Sequence, residues 1–361
     1  MQHSNQKPKN PQKTFLGVAF LSLNLSLKNH QQTKWSKLNG ANSMENITEK
    51  LENFNKHKKL SIKVNLEQRY KHNKKKAEVC GECGSFLSFD LWRNKETNDE
   101  KRTLESANFC KVKWCPMCAW RKTRKLAGEI KSTLEQIESQ HKVRYLFLTL
   151  TIKNPPLTEL RDTIKYMSNA FNKLTRHKLF KKNVLGYIRA IEYLGDETKS
   201  GEAHPHFHII LAVNATSYFG GNYISQAKWT ELWKQALKAD YTPIVDIRTI
   251  RAKNEKWKDS DSAIFETLKY CVAPLELVKL SQENFKELDK QTKGARQYNK
   301  GGLIKTIKPL PNATLDPELW EYMKTEYFNF VNGEYKKCAT KKEADQKNHI
   351  KQKQKVSDSQ N

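Results

Sequence analysis

The sequence predicts an α+β fold: an antiparallel sheet with a split βαβ core, preceded by a small cysteine-rich zinc module. Three observations carry that expectation. The segments Arg144 to Ile152, Val184 to Leu194, His206 to Val213 and Pro243 to Ile250 are rich in β-branched, aromatic and aliphatic residues, as strands are. Leu157 to Leu174 and Ser225 to Ala239 repeat apolar residues at helical spacing between them, which completes the order β-α-β-β-α-β. Upstream stand two C-x-x-C pairs, Cys80 with Cys83 and Cys115 with Cys118.

Taken in order, residues 1–75 are polar, lysine-rich and weakly patterned, and are expected to be flexible for much of their length. Residues 76–125 hold the cysteine module and 126–310 the sheet domain. Trp120 to His141 reads as a helix because Leu126, Ile130, Leu134 and Ile137 share one side. The first strand ends at Asn154-Pro155-Pro156, which cannot continue a sheet ladder. Leu160, Ile164, Met167, Ala170, Phe171 and Leu174 form the apolar stripe of the next helix, and Gly195 to Gly201 are the polar turn between the second and third strands. Ser260 to Val272 reads as a further helix, stopped by Pro274. Residues 311–361 are read as a C-terminal segment, lysine- and glutamine-rich and solvated beyond residue 335.

The 65 basic against 39 acidic residues leave a net charge of +26, which favours a polyanionic partner, most simply nucleic acid. No run approaches the roughly 20 apolar residues that cross a bilayer, so no membrane partner is expected. Phe15 to Leu27 superficially resembles a secretory leader, but contains Asn24 and several serines and lacks a small-x-small cleavage site. Met44 opens a more ordinary amphipathic segment, so translation starting there, rather than at Met1, is an open alternative. Of the seven cysteines, five fall between residues 80 and 118, the pattern of metal ligation in a reducing cytoplasm rather than of a disulfide scaffold.

Three constellations carry chemistry. His206 and His208 sit at i and i+2 on a strand, so both imidazoles leave the same face and form half of a divalent-metal site. Glu192 sits across from them if the second and third strands form a hairpin. A carboxylate with two imidazoles leaves open positions on Mg²⁺ or Mn²⁺. Glu266 and Tyr270 share a helix face at i and i+4, where a phenol can act as nucleophile and a carboxylate can activate water. The plain alternative at each place is a hydrogen-bonded histidine pair, a solvated strand-end carboxylate and an ordinary amphipathic helix.

Cys80, Cys83, Cys115 and Cys118 match a structural Zn²⁺ ribbon, with Cys110 as a possible substitute for one of them. Arg121, Lys122, Arg124 and Lys125 follow Trp120 and offer cations for phosphates beside an aromatic ring. The same run is equally the solvated first turn of a helix.

Together these residues resemble the rolling-circle plasmid replication initiators, the Rep proteins of the HUH endonuclease superfamily. Phe147-Leu-Thr-Leu-Thr151 resembles the first motif of that family, and His204-Pro-His-Phe-His208 its metal motif. Phe265-Glu-Thr-Leu-Lys-Tyr270 resembles the nucleophile motif of the single-tyrosine subgroup. Cys110 to Cys118 with Trp120 and Arg121 resembles the cysteine block ahead of the catalytic domain.

The resemblance covers roughly residues 80 to 305 and implies an HUH-type nickase domain. In it His206 and His208 would hold the metal, with Glu192 as third ligand and His204 as an outer group. Tyr270 would attack a phosphodiester at a plasmid origin, leaving a 5′-phosphotyrosine and a free 3′-hydroxyl, and Glu266 would activate water to end the round. The implied partners are origin DNA, single-stranded or hairpin at the nick, and a host helicase and DNA polymerase. Two other readings remain: an HUH transposase or relaxase, and a zinc-ribbon nucleic-acid-binding regulator without catalysis.

Overall fold

The computed structural model describes residues 47–195, 198–251, 275–310 and 315–339. In chain order these form helices α1 (Ile47–Val64) and α2 (Lys74–Glu82), strands β1 (Phe86–Asn94) and β2 (Glu100–Ala107), and helix α3 (Pro116–Gln140). Strand β3 (Val143–Thr151), helix α4 (Leu160–Arg176), strands β4 (Val184–Glu192) and β5 (His206–Asn214), helix α5 (Gln226–Leu237) and strand β6 (Val245–Ile250) follow. Helix α6 (Gln282–Gln291) and strands β7 (Tyr298–Gly302), β8 (Trp320–Val331) and β9 (Glu334–Cys338) complete the main elements, with short helical turns between some of them.

Among the described residues β3 to β7 form one antiparallel sheet in the order β6-β3-β5-β4-β7. Each helical connection spans an intervening strand. The chain passes from β3 through α4 to β4 with β5 between them, and from β5 through α5 to β6 with β3 between them. The core strand β5 is buried from His206 to Val213, which explains its continuous apolar run after the histidines: a strand covered on both faces has no polar side to show.

One face is covered by α4, whose Phe171 ring meets Tyr187 at 5.1 Å and Phe207 at 6.0 Å, both edge-on. The other face is covered by α3, with Leu126, Ile130, Leu134 and Ile137 buried along one stripe. Tyr145 donates a 2.8 Å hydrogen bond to Glu138 of α3, and Tyr145 pairs with Ala212, which has the strand parity of His206 and His208. The imidazoles therefore share their face with α3 and lie at one end of it.

A second antiparallel sheet, in the order β2-β1-β8-β9, joins residues far apart in the chain: Phe86 pairs with Asn329 and Asn94 with Trp320. Helix α1 packs on it through Phe54, 5.8 Å from Phe89, while Lys58 donates to the carbonyl of Cys83 at 2.8 Å. Two expectations change here. Residues 47–64 form a packed helix within the segment read as flexible, and residues 320–338 form two strands within the segment read as a C-terminal extension and tail. Their alternation is weak because only Glu326 and the stretch Phe328–Phe330 of β8 are buried, and Glu326 is held there by Arg102 at 2.8 Å and Lys337 at 2.6 Å. No helix among the described residues is long and apolar enough to cross a membrane.

The edge strand β7 ends at a glycine that its position requires. Gly302 has φ +58°, and a Cβ there would stand 2.3 Å from the carbonyl oxygen of Leu185. Gly302→Ala is expected to cost about 2–3 kcal/mol, from a backbone region reserved for glycine plus a clash with unyielding main chain. A lowered urea midpoint at unchanged slope would report it; an unchanged midpoint would contradict the fit of β7 described here.

Candidate functional site

The register of the β4–β5 hairpin sets Glu192 directly opposite His206, and Ala190 opposite His208. Glu192 Oε2 lies 2.9 Å from His206 Nε2 and 3.0 Å from His208 Nε2. His206 Nδ1 stands 2.8 Å from the carbonyl oxygen of His204. A carbonyl only accepts, so Nδ1 carries a proton and Nε2 is the ring atom that faces the carboxylate. An imidazole nitrogen and a carboxylate oxygen at that separation hold a proton or a cation between them. Adjacent ligands of an octahedral ion with bonds of about 2.1 Å are about 3.0 Å apart, so the trio fits Mg²⁺ or Mn²⁺.

Burial alone would raise the Glu192 pKa. Hydrogen bonds and positive charge from His206 and His208 overcome it and hold the group at about 2, so it is a carboxylate at neutral pH. The ring of Phe147 stacks on His208 at 5.5 Å, and Thr149 Oγ1 is 3.5 Å from its Nδ1. His204 stays outside the trio, its Nδ1 2.6 Å from Asn154 Oδ1.

The second cluster is Cys83, Cys110, Cys115 and Cys118, whose sulfurs all lie within 4.8 Å of one another. The separations from Cys83 to Cys115, Cys83 to Cys118 and Cys110 to Cys118 are 3.5, 3.6 and 3.6 Å. A Zn²⁺ tetrahedron with bonds of about 2.3 Å has edges of about 3.8 Å, so the thiols fit such an ion. Backbone amides of Cys110 and Lys111 point at the sulfurs of Cys83 and Cys118, at 3.4 and 3.2 Å. Lys111 adopts φ 57° to make that turn. Cys115 caps α3, with Pro116 in the first turn, where the helix end favours an anionic sulfur.

The thiols compete for protons. Hydrogen bonds from Cys110, Cys118 and Cys83 push Cys115 down, while those with Cys110, Cys115 and Cys118 push Cys83 up. Four thiolates this close would need a cation among them. This quartet differs from the two-knuckle set of Cys80, Cys83, Cys115 and Cys118: Cys110 joins it and Cys80, near the end of α2, falls outside. Spacing could not choose between them, because the turn at Lys111 is what folds Cys110 back onto the group.

The clusters are linked. Trp114 meets Tyr193 edge-on at 5.8 Å, and Lys113 Nζ donates to Tyr193 Oη at 3.3 Å and to the carbonyl of Thr292 at 2.9 Å. Burial lowers the Lys113 pKa to about 8. The cysteine turn thus braces the residue that follows Glu192.

Beside it runs a cavity of about 1060 Å³, lined by the first turns of α3 and by β7. Of the cations read from the sequence, Arg121, Lys122 and Lys125 line it. Arg124 does not; it stacks on Trp120 at 5.6 Å, being rotated about 110° from the centre of that helical stripe. Lys111, Lys113, Arg296, Lys300 and Lys305 complete the basic lining and were not singled out in the sequence, since β7 and the residues flanking it bring three of them from a distant segment. Tyr298 pairs with Ala190, which itself pairs with His208, so this phenol shares the imidazole face; Lys122 Nζ lies 5.4 Å from its ring. Glu266 and Tyr270 lie outside the described residues.

Comparison with known proteins gives the lineage. The replication protein family matches residues 101–350. A protein rep of Bacillus amyloliquefaciens is 40% identical over 253 residues, covering 64% of this chain and 72% of that one. One of Streptococcus pneumoniae is 37% identical over 237 residues, covering 64% and 70%. One of Lentilactobacillus hilgardii is 35% identical over 286 residues, covering 71% and 88%. No solved structure matches. With the family matched across Cys110, Cys115 and Cys118, the basic groove and the Glu192–His206–His208 trio, this chain belongs to the replication protein family, the initiators of plasmid rolling-circle replication.

Proposed function

We propose that this chain nicks and rejoins one strand of its plasmid origin through a 5′-phosphotyrosine, in the manner of an HUH endonuclease. The observation that carries the reading is the convergence of Glu192, His206 and His208 on one point of a buried strand pair. The strand order around them is the one a split βαβ core produces. A Mg²⁺ or Mn²⁺ ion bound there would polarise a non-bridging phosphate oxygen and orient the scissile group. Tyr270 Oη then forms the bond to phosphorus, the bond to the 3′-oxygen breaks, and the phenolic proton is balanced by the new 3′-hydroxyl. Glu266, four residues earlier in the sequence, activates water to release the protein at the end of a round. Cys83, Cys110, Cys115 and Cys118 would hold Zn²⁺, which would fix the turn that braces Tyr193. The partners of this reading are origin DNA, single-stranded or hairpin at the nick, and a host helicase and polymerase in the cytoplasm. A transposase or relaxase would use the same ligands, and membership of the replication family favours the initiator.

Incubation of the full chain with single-stranded origin DNA and Mn²⁺ tests this. A covalent protein–DNA adduct is expected in the wild type and none in Tyr270→Phe. An adduct retained in that variant transfers the role to Tyr298, on the imidazole face. The absence of any adduct or cleavage in the wild type would favour a non-catalytic zinc-ribbon regulator and end the nickase reading.

A further inference from the structure

On the sheet face opposite the imidazoles, Arg189 is 8% exposed and lines a cavity of about 360 Å³ together with Asn172, Tyr187, Asn299 and Arg296. The guanidinium lies 4.1 Å from the ring of Phe207 and 4.9 Å from that of Phe171. Its Nη1 is buried and meets no hydrogen-bond partner among the described residues. Among the described residues no carboxylate lines the cavity. Tyr187, which lines the cavity, is neutral at pH 7, and burial raises its pKa further. Burial likewise lowers Arg189 to about 10, which still leaves it charged at neutral pH. A buried cation without a counter-charge is costly to keep, and a guanidinium fork fits carboxylate or phosphate oxygens.

We propose that this cavity is a phosphate-binding site, occupied by a backbone phosphate of the bound DNA strand. Phosphate is favoured over carboxylate because the cavity adjoins the basic groove: Ala295, Arg296, Gln297, Asn299 and Lys300 line both. These residues run into β7, the outermost strand of its sheet, so a polynucleotide lying in the groove reaches the other face by passing over that edge. The strand as occupant rests on the nucleic-acid reading above; the phosphate site itself does not.

Thermal unfolding of the full chain in sodium phosphate and in sodium chloride of equal ionic strength tests it without metal or cleavage. Phosphate is expected to raise the Tm of the wild type by about 3 °C more than that of Arg189→Met. Equal shifts would mean general ion exclusion from the surface and would overturn the site. Should Arg189→Met fail to fold, Arg189→Lys keeps the charge but not the fork, and is expected to lose most of that excess; a full excess there would overturn the site too. Oligonucleotide binding against salt then identifies the source. A slope of log K reduced by about 0.7 in the variant assigns a chain phosphate, and an unchanged slope with the phosphate response present assigns free phosphate instead.

Discussion

His208→Ala is expected to lose about 10³-fold or more in strand cleavage while binding single-stranded DNA with an affinity and salt dependence close to those of the wild type. Electrophilic assistance at a phosphoryl oxygen supplies several kcal/mol to such a reaction, and about 4 kcal/mol is a factor of about 10³. With His208 gone, Glu192 and His206 remain 2.9 Å apart, a pair rather than a trio. In the proposed reading DNA affinity rests on other groups, the cations that line the groove beside α3 and β7, and is expected to survive. Loss of the Phe147 stacking partner is expected to cost only about 1 kcal/mol in stability. Single-turnover cleavage in Mn²⁺, with salt-dependent binding measured on the same preparation, checks both halves. Cleavage within tenfold of the wild type would remove the metal role from this face.

Cys115→Ser is expected to lose the bound zinc and most of the stability of the cysteine region, with Tm lower by more than about 10 °C. Structural zinc contributes about 10–16 kcal/mol of apparent binding energy in small modules, far above the stability of such a region by itself. The effect should reach cleavage as well, because the turn from Cys110 to Cys115 places Lys113 and Trp114 against Tyr193, next to Glu192. Metal analysis should find about one zinc per wild-type chain. Cys80→Ser makes the prediction specific, since Cys80 lies outside the quartet and its variant should retain zinc. Zinc retained by Cys110→Ser and lost from Cys80→Ser would restore the two-knuckle ligand set.

The contrast between these sites shows what could be read without coordinates. The ligand trio was legible because it is local: strand alternation puts His206 and His208 on one face, and a hairpin between neighbouring strands brings Glu192 across from them. The Asn332-Gly333 turn between β8 and β9 is another local signal, with φ 53° and 86°, and could have revealed that hairpin from sequence. Arg121, Lys122 and Lys125 were found because a basic stripe on one helix is periodic; their counterparts Arg296, Lys300 and Lys305 were not, because nothing local ties β7 to α3.

By itself, then, the sequence determined the periodic elements, their β-α-β-β-α-β order and the meeting of Glu192 with His206 and His208, all of which follow from interactions between near neighbours on the chain. Only the tertiary structure decided which four cysteines converge, that β1 pairs with β8, and that a buried arginine faces a cavity without a carboxylate. Those outcomes depend on a left-handed turn at Lys111 and on strand pairings between distant segments, whose closing is settled by the packing of the whole domain and leaves no periodic trace in any one segment.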